Sequence, residues 1–195
     1  MYKNITILSL LFLLLFSCGT DDKKVGDSDL YFPVEKLLDQ QIDSLNKSND
    51  TWKKRVTENG KEEEKAIVAK DATWKTELAM FYDLTPNKNA YAGKFKIDTV
   101  FKENENIIMY ESDNLKLAML MIRQNKDGSV RAIYGDLRNQ NLFYSSYYEL
   151  SFVPNSAFMI SGRQTLAFFN SQKDFSISWV KEETDSATTV QNEQQ

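Results

Sequence analysis

The sequence predicts an α+β domain in which two N-terminal helices, with a β-hairpin between them, pack on a curved antiparallel meander of about seven strands. Between residues 30 and 82, apolar residues recur mostly at the spacing of an amphipathic helix, whereas from residue 91 onward they alternate with polar residues. Short polar turns separate the later segments. Such turns join antiparallel neighbours, because a parallel pair needs a long crossover connection.

The first helix is predicted to begin at Pro33 or Val34 and to end near residues 47–50. Proline suits the first turn of a helix because its missing N–H would have no partner there. A single apolar stripe at helical spacing marks the buried face of this helix: Val34, Leu37, Leu38, Ile42 and Leu45.

The next segment, residues 51–68, has two interpretations. Asn59-Gly60 is a pair favoured in two-residue hairpin turns, which need positive φ at both positions, and it predicts a strand on either side. Trp52 and Val56 then share one face of the first strand. The alternative is a charged helix broken at the glycine, because residues 62–65 are all charged and suit a helix. The hairpin is the favoured interpretation.

A second helix is predicted over residues 71–82, with Asp71 available as its N-cap. Four apolar residues share one face of this helix: Trp74, Leu78, Phe81 and Tyr82. An aromatic stripe at helical spacing predicts a core-facing surface rather than a ligand site.

Seven consecutive strands are predicted after this helix. Residues 115–123 are apolar on both faces, a pattern typical of a central and fully buried strand. The predicted strands cover residues 91–101, 107–111, 115–123, 130–137, 142–153, 157–168 and 174–180.

Composition excludes several kinds of chemistry. The chain contains no histidine, which excludes Ser-His-Asp and Cys-His nucleophilic schemes and the zinc sites that use imidazole. Its formal net charge of −4 argues against a nucleic-acid partner, because phosphates attract clustered lysine and arginine. We therefore expect no enzyme activity, cofactor or metal. The remaining enzymatic hypothesis is a reaction carried by carboxylates such as Glu149.

Two groups of residues are candidate binding sites. Tyr144, Tyr147 and Tyr148 are candidates for a stacking or hydrogen-bonding patch that binds a protein or glycan, although tyrosine also suits any half-buried strand. Alternation places Tyr144 and Tyr148 on one face of their strand and Tyr147 on the other. Four methionines are predicted to line an apolar pocket on the concave side of the sheet, although methionine also fills ordinary cores. They are Met109, Met119, Met121 and Met159.

The first 18 residues carry the most specific motif in the chain. Lys3 precedes an apolar run over residues 5–16, which is too short to span a membrane, and Leu15-Phe16-Ser17-Cys18 follows. This ending resembles the lipobox of bacterial lipoproteins. The resemblance implies that residues 1–17 are a signal peptide and that Cys18, the only cysteine, is acylated and anchors the protein to the membrane.

The organisation expected from these features has three parts after the signal peptide: a flexible tether over residues 18–29, one domain over 30–180 and a disordered polar tail over 181–195. Asp21-Asp22 resembles the surface-export signal of Bacteroidota lipoproteins, so the outer-membrane location is either periplasmic or surface-exposed. The lipobox, Tyr31-Phe32-Pro33 and Asn59-Gly60 together resemble uncharacterised envelope lipoproteins of Bacteroidota.

This resemblance implies no particular activity. The function we expect is a non-catalytic binding or accessory module that presents its sheet or its tyrosines to another envelope component, a protein or a glycan. The alternative is a carrier that holds a lipid or another hydrophobic ligand between the sheet and the helices. A cavity facing Met119 and Met121 favours the carrier, whereas a filled core and an exposed aromatic patch favour the binding module.

Overall fold

The computed structural model describes residues 30–167 and 171–183, which form one sheet with a helical layer on one face. The helical layer, here called the cover, comprises residues 30–45 and 69–95. It contains helix α1 (Val34–Leu45), the four-residue helix α2 (Trp74–Glu77) and three 3-10 segments, Ala69–Asp71, Ala79–Leu84 and Asn89–Tyr91.

Nine strands form the sheet in the described residues. They are β1 (Thr51–Glu58), β2 (Lys61–Val68), β3 (Lys96–Phe101), β4 (Glu105–Glu111), β5 (Leu117–Asn125), β6 (Val130–Gln140), β7 (Tyr144–Val153), β8 (Ala157–Leu166) and β9 (Ser171–Lys181). Their order is β2-β1-β9-β8-β7-β6-β5-β4-β3, and every neighbouring pair is antiparallel. The prediction of an antiparallel sheet with short turns is therefore confirmed.

The predicted fold class is wrong in its count of helices and strands. Within the described residues the sheet has nine strands, not seven, and α1 is the only helix longer than four residues in α geometry. The hairpin β1–β2 lies between α1 and α2 in the chain, as predicted, but it is part of the sheet rather than a separate hairpin, because β1 pairs with β9. The second predicted helix leaves α geometry at Leu78, where φ is −93° and ψ is 4°, and continues as a 3-10 segment.

The hairpin itself is confirmed over the residues expected. Asn59 and Gly60 have φ of 48° and 82°, as a type I′ turn requires, and the flanking strands pair Trp52 with Ile67 and Val56 with Glu63. The backbone N–H of Asn59 also donates to the carbonyl of Asp174 at 3.0 Å, which fixes the hairpin tip to β9. The alternative of a broken helix is excluded.

The segment predicted as the central strand is not central. It corresponds to β5, which is third from the β3 edge, whereas β7 has four strands on each side. Leu120 and Ile122 are fully buried under the cover, but Met119 and Met121 on the other face are only half-buried. Apolar residues on both faces of β5 therefore reflect methionines on an uncovered face rather than burial on both sides.

The core lies between the cover and one face of the sheet, here called the covered face. At its centre Trp74 from the cover packs on Trp52, Phe158 and Trp179 from three neighbouring strands, with ring centroids 5.4, 6.0 and 4.8 Å away. All four rings are buried. Large aromatic side chains dominate the burial free energy of a core this size, so this cluster anchors the cover to the sheet.

Helix α1 is held to the sheet by packing and by one polar clamp. Val34, Leu38 and Leu45 are buried against the core. The buried amide of Gln41 donates to the side-chain oxygen of Asn155 at 2.9 Å and accepts from the backbone N–H of Asn155 at 3.0 Å. Asn155 has φ of 56° in the β7–β8 turn, a conformation that asparagine tolerates, so the clamp ties α1 to that turn.

Candidate functional site

The face of the sheet opposite the cover carries most of the candidate residues. The strand registers place the following side chains on it: Met109, Met119, Met121, Asp136, Tyr147, Glu149, Met159 and Ser161. We call this the open face, because among the described residues the helical segments pack only on the covered face. Within the described part of the chain, the cover leaves this face available to a partner.

A cluster around Tyr147 occupies the middle of the open face. Asp136 on β6 and Glu149 on β7 are directly opposite each other in the register, so two carboxyl groups lie side by side. The Tyr147 hydroxyl donates to Glu149 Oε1 at 3.2 Å, and the Ser161 hydroxyl donates to Glu149 Oε2 at 3.5 Å. The Arg138 guanidinium lies 5.8 Å from the centre of the Tyr147 ring.

This environment changes the proton affinities of the cluster. Partial burial, together with the neighbouring Glu149 carboxylate, raises the pKa of Asp136, while a hydrogen bond from Tyr147 acts in the opposite direction. Burial and the two carboxylates raise the pKa of Tyr147 to about 12. Tyr147 is therefore a protonated donor at neutral pH, beside carboxylate acceptors and a cation. The cluster offers both hydrogen-bond donors and acceptors to a polar partner.

The strands beside this cluster present small polar side chains. Ser161 is paired with Ser176, and Met159 lies between Ser151 on β7 and Ser178 on β9. Tyr147 is 36% exposed and Met159 is 42% exposed, whereas the serines beside them are half-buried. This part of the open face combines an aromatic ring, a flexible apolar side chain and hydroxyl groups.

The three tyrosines of the predicted patch do not lie together. Tyr144 and Tyr148 point to the covered side of β7, whereas Tyr147 points to the open face. The hydroxyls of Tyr144 and Tyr148 are 3.1 Å apart, and the Gln164 amide donates to the Tyr148 hydroxyl at 2.7 Å. The Tyr148 ring also packs on Phe175, with centroids 6.0 Å apart. These two tyrosines form a margin of the core beyond the cover.

The four methionines all lie on the open face, not between the sheet and the cover. Met109 is directly opposite Met121, and Met119 follows two residues away on β5. Met159 is separate from these three, because β6 and β7 lie between. The described structure therefore brings three of the predicted pocket residues together on a half-buried surface and leaves the fourth apart.

Two clefts lie at the hairpin end of the molecule, away from the methionines and tyrosines. One, of about 490 Å³, lies between β2 and α2 and is lined in part by Ile67, Thr73 and Glu77. The other, of about 400 Å³, surrounds the hairpin tip at Asn59. Glu77 is already occupied, because it pairs with Lys54 at 2.7 Å and accepts from the Trp179 indole at 3.1 Å.

Several expectations concern residues beyond the described ranges. Cys18, the signal peptide, the tether and most of the polar tail all lie outside them. Within residues 30–167 and 171–183, no group of three or more acidic or cysteine side chains is arranged to hold a metal ion. No helix in the same part of the chain is both long and apolar enough to cross a membrane.

The sequence did not single out Asp136, Arg138 or Ser161. Asp136 and Glu149 are 13 residues apart in the chain, and only the register of β6 with β7 brings them together. The available signal was the alternation of Tyr134, Asp136 and Arg138 on one face of β6, which indicates a polar face but does not identify the residues across the sheet.

Comparisons of the chain with protein-family models, curated proteins and solved structures found no match.

Proposed function

We propose that the protein is a non-catalytic lipoprotein of the cell envelope, anchored to the outer membrane through an acylated Cys18. In this proposal the domain acts as a binding or accessory module, and its open face contacts another envelope component. The observation that carries the proposal is the open face itself, where Tyr147 and Met159 stand exposed beside hydroxyl and carboxylate groups.

The composition of this surface supports recognition of a protein or a glycan. Aromatic and methionine side chains are enriched where proteins bind partners, because they contribute large contact areas. Tyr147 adds a donor hydroxyl, and Asp136 and Glu149 add acceptors that match the hydroxyl and amide groups of such partners. The net charge of −4 agrees with a partner that is not a nucleic acid.

A catalytic role has less support than a binding role. A pair of carboxyl groups with one raised pKa is an arrangement that enzymes use, and Asp136 with Glu149 has that feature. The clefts described above lie at the hairpin end, away from this pair, whereas catalytic groups need a concave site that excludes water. We therefore assign the pair to recognition.

The lipid-carrier alternative also has less support. A carrier needs space between the sheet and the cover, and that space is filled by the packed rings of Trp52, Trp74 and Phe158. The clefts of about 490 and 400 Å³ lie at the hairpin end and have polar as well as apolar linings.

The experiment has two parts, anchoring and binding. Mass spectrometry of the chain from a bacterial envelope measures acylation at Cys18, with C18A as the unacylated control. For binding, full-length chain is cross-linked in intact envelopes, and captured proteins and glycans are compared between Y147A and Y144A. Tyr144 is the matched control, because it lies three residues away on the opposite face of the same strand.

Loss of the captured component in Y147A and its retention in Y144A is the expected result. Equal capture by both variants contradicts the proposal for the open face. Lipid recovered with the purified domain, at one molecule per chain, supports the carrier instead.

A further inference from the structure

The two edge strands of the sheet differ in how they are protected against pairing with another chain. An exposed edge presents unpaired N–H and C=O groups, and natural proteins protect such edges with charged side chains. The edge strand β2 begins with five charged residues, 61–65. The other edge strand, β3, exposes Ile97, Val100 and Phe101, and Phe101 is 74% exposed.

The backbone of β3 directs alternate residues to its free side. The N–H of Lys102 donates to Glu105 on β4 at 2.9 Å, so Lys102 faces inward. Because the direction of N–H and C=O alternates along a strand, Ile97, Thr99 and Phe101 direct theirs to the free edge. In agreement, the N–H of Thr99 donates to the side chain of its neighbour Asp98 at 2.9 Å rather than to β4.

The side chains of the three outward-directed residues lie on the covered side of the sheet. The register pairs Ile97 with the buried Tyr110 and Thr99 with Ile108. The cover extends only as far as Phe95, whose ring packs on Tyr31, so Ile97 beyond it is 49% exposed. Among the described residues no strand pairs with this edge, and the Thr99 N–H is held only by the neighbouring Asp98 side chain. The edge therefore combines hydrogen-bonding groups directed outward with apolar side chains on one side.

This edge is complementary to itself. When two copies of β3 run antiparallel with Thr99 opposite Thr99, the same register places Ile97 of each copy opposite Phe101 of the other. Aromatic with β-branched pairs and threonine pairs are favourable across strands. The two covered faces then also lie on the same side of the joined sheet, because residues directly opposite each other share a face.

Two neighbouring registers keep the same facing. One is centred on Val100: it pairs Asp98 with Lys102, but it places Ile97 opposite Glu103 and so loses both pairs of Ile97 with Phe101. The other is centred on Asp98 and is less favourable. It places Asp98 opposite Asp98, and like charges directly opposite are destabilising. In the favoured register Asp98 lies opposite Val100, and the like-charged Lys96 and Lys102 meet at the ends. Each of these lysines already has a carboxylate on its own β4, Glu111 at 3.8 Å and Glu105 at 3.5 Å.

From this geometry we infer that the free edge of β3 binds the same edge of a second copy of this chain. The dimer has twofold symmetry about Thr99 and joins two sheets into one. This inference is independent of the proposed role of the open face, because the interface is the β3 edge. One strand pair buries less than the roughly 1,000 Å² expected of a stable interface, so the association is weak and needs a trapping experiment.

Disulfide trapping tests the inference in the full-length chain. In the favoured register the two Thr99 Cα atoms form a hydrogen-bonded pair about 5.5 Å apart, a separation that a disulfide spans. The variants are T99C, D98C for the other register, and E63C, which places a thiol at an exposed position on the opposite edge strand. The unmodified chain under the same oxidant measures any contribution of Cys18, the only native cysteine.

T99C is expected to form disulfide dimers about tenfold faster than E63C, because pairing raises the local thiol concentration. Adding I97K, which places a charge on the half-exposed edge, is expected to return T99C to the rate of E63C, with the thermal midpoint unchanged. Equal rates for T99C and E63C overturn the inference, as do fast trapping that persists in I97K and faster trapping in D98C. Failure of the capture experiment on Y147A does not affect this result.

Discussion

Phe158 and Met159 are consecutive residues of β8, yet they belong to two different surfaces. Phe158 is 3% exposed and packs on Trp52, Trp74, Phe81 and Trp179, whereas Met159 is 42% exposed and lies between two serines. The same contrast holds across most of the sheet. The covered face carries most of the packing that stabilises the fold, so substitutions on the open face are expected to cost less stability than substitutions on the covered face.

The largest expected effect comes from a matched pair of substitutions at these positions. F158A removes a ring from the centre of the core, so we expect the free energy of unfolding to fall by about 3–5 kcal/mol. M159A removes a side chain that is largely in contact with water, so we expect a loss of less than about 1 kcal/mol. Urea unfolding followed by tryptophan fluorescence measures both.

Similar losses for F158A and M159A contradict the assignment of the two faces. A change in the slope of the unfolding free energy against urea concentration in F158A indicates an altered compactness of the unfolded state. Thermal unfolding of both variants separates that effect from the loss of packing.

A second expectation concerns how tightly the cover fits the sheet. Gly135 on β6 lies directly beneath Leu84 of the cover, and a Cβ at this position clashes with the Leu84 methyl carbons. G135A is therefore expected to cost about 1–3 kcal/mol of stability through overpacking. The double variant G135A/L84V relieves the clash. We therefore expect its loss of unfolding free energy to be smaller than the sum of the losses of the two single variants, which a double-mutant cycle measures.

The control substitution is G162A, because Gly162 lies at the margin of the core. A Cβ there meets the ring of the half-buried Tyr148, with Tyr148 Cε1 at 2.9 Å, and that ring lies beyond the cover. We expect a smaller loss than in G135A, because the tyrosine can move toward solvent. A larger loss in G162A contradicts the view that packing weakens beyond the cover.

The sequence predicted local features well and tertiary ones less well. Asn59-Gly60 identified the hairpin because two positive φ angles are a local requirement. The pairing of this hairpin with β9 depends on contacts such as Asn59 with Asp174, which are 115 residues apart, and no local pattern contains them. The prediction of a long second helix was wrong for a related reason, because the packing of Trp74 and Phe81 in the core outweighs helix propensity.

The prediction of the candidate sites was limited in the same way, because it also used only local patterns. Alternation along β5 places Met119 and Met121 on one face and Leu120 and Ile122 on the other. It does not say which face the cover occupies, and the prediction assigned the methionines to the concave, pocket side. Alternation also separates Tyr147 from its neighbour Tyr148, but the pairing of Tyr147 with Asp136 required the register of β6 and β7.

Two carboxyl groups on the open face, Glu105 and Asp136, are expected to respond to pH in opposite directions. Arg123 donates to Glu105 at 2.8 Å, and this hydrogen bond and charge lower the pKa of Glu105 below its ordinary 4.5. A lowered pKa contributes stability that is complete above the ordinary pKa and is lost as the pH falls through the folded-state value. E105Q is therefore less stable than the unmodified chain at pH 7, and the difference shrinks toward pH 3.

The measurement is urea unfolding of both proteins between pH 3 and pH 7. E103Q is the control, because Glu103 is exposed in the turn that precedes β4. A stability difference for E105Q that stays constant with pH, or one that E103Q reproduces, shows that the pairing of Glu105 with Arg123 does not carry the effect.

Asp136 is expected to respond to pH with the opposite sign. Burial, followed by the Glu149 carboxylate, raises its pKa above the ordinary 3.8. A raised pKa means that the ionised carboxylate costs stability in the folded state, and this cost is absent below the ordinary pKa and complete above the folded-state value. D136N is therefore slightly more stable than the unmodified chain at pH 7, and the gain disappears toward pH 3, while D43N on the exposed side of α1 shows no such change. If D136N is instead less stable than the unmodified chain at pH 7, hydrogen bonding between Asp136 and Tyr147 outweighs the cost of burying the carboxylate. The cluster is then a structural element of the open face rather than a surface available for a partner.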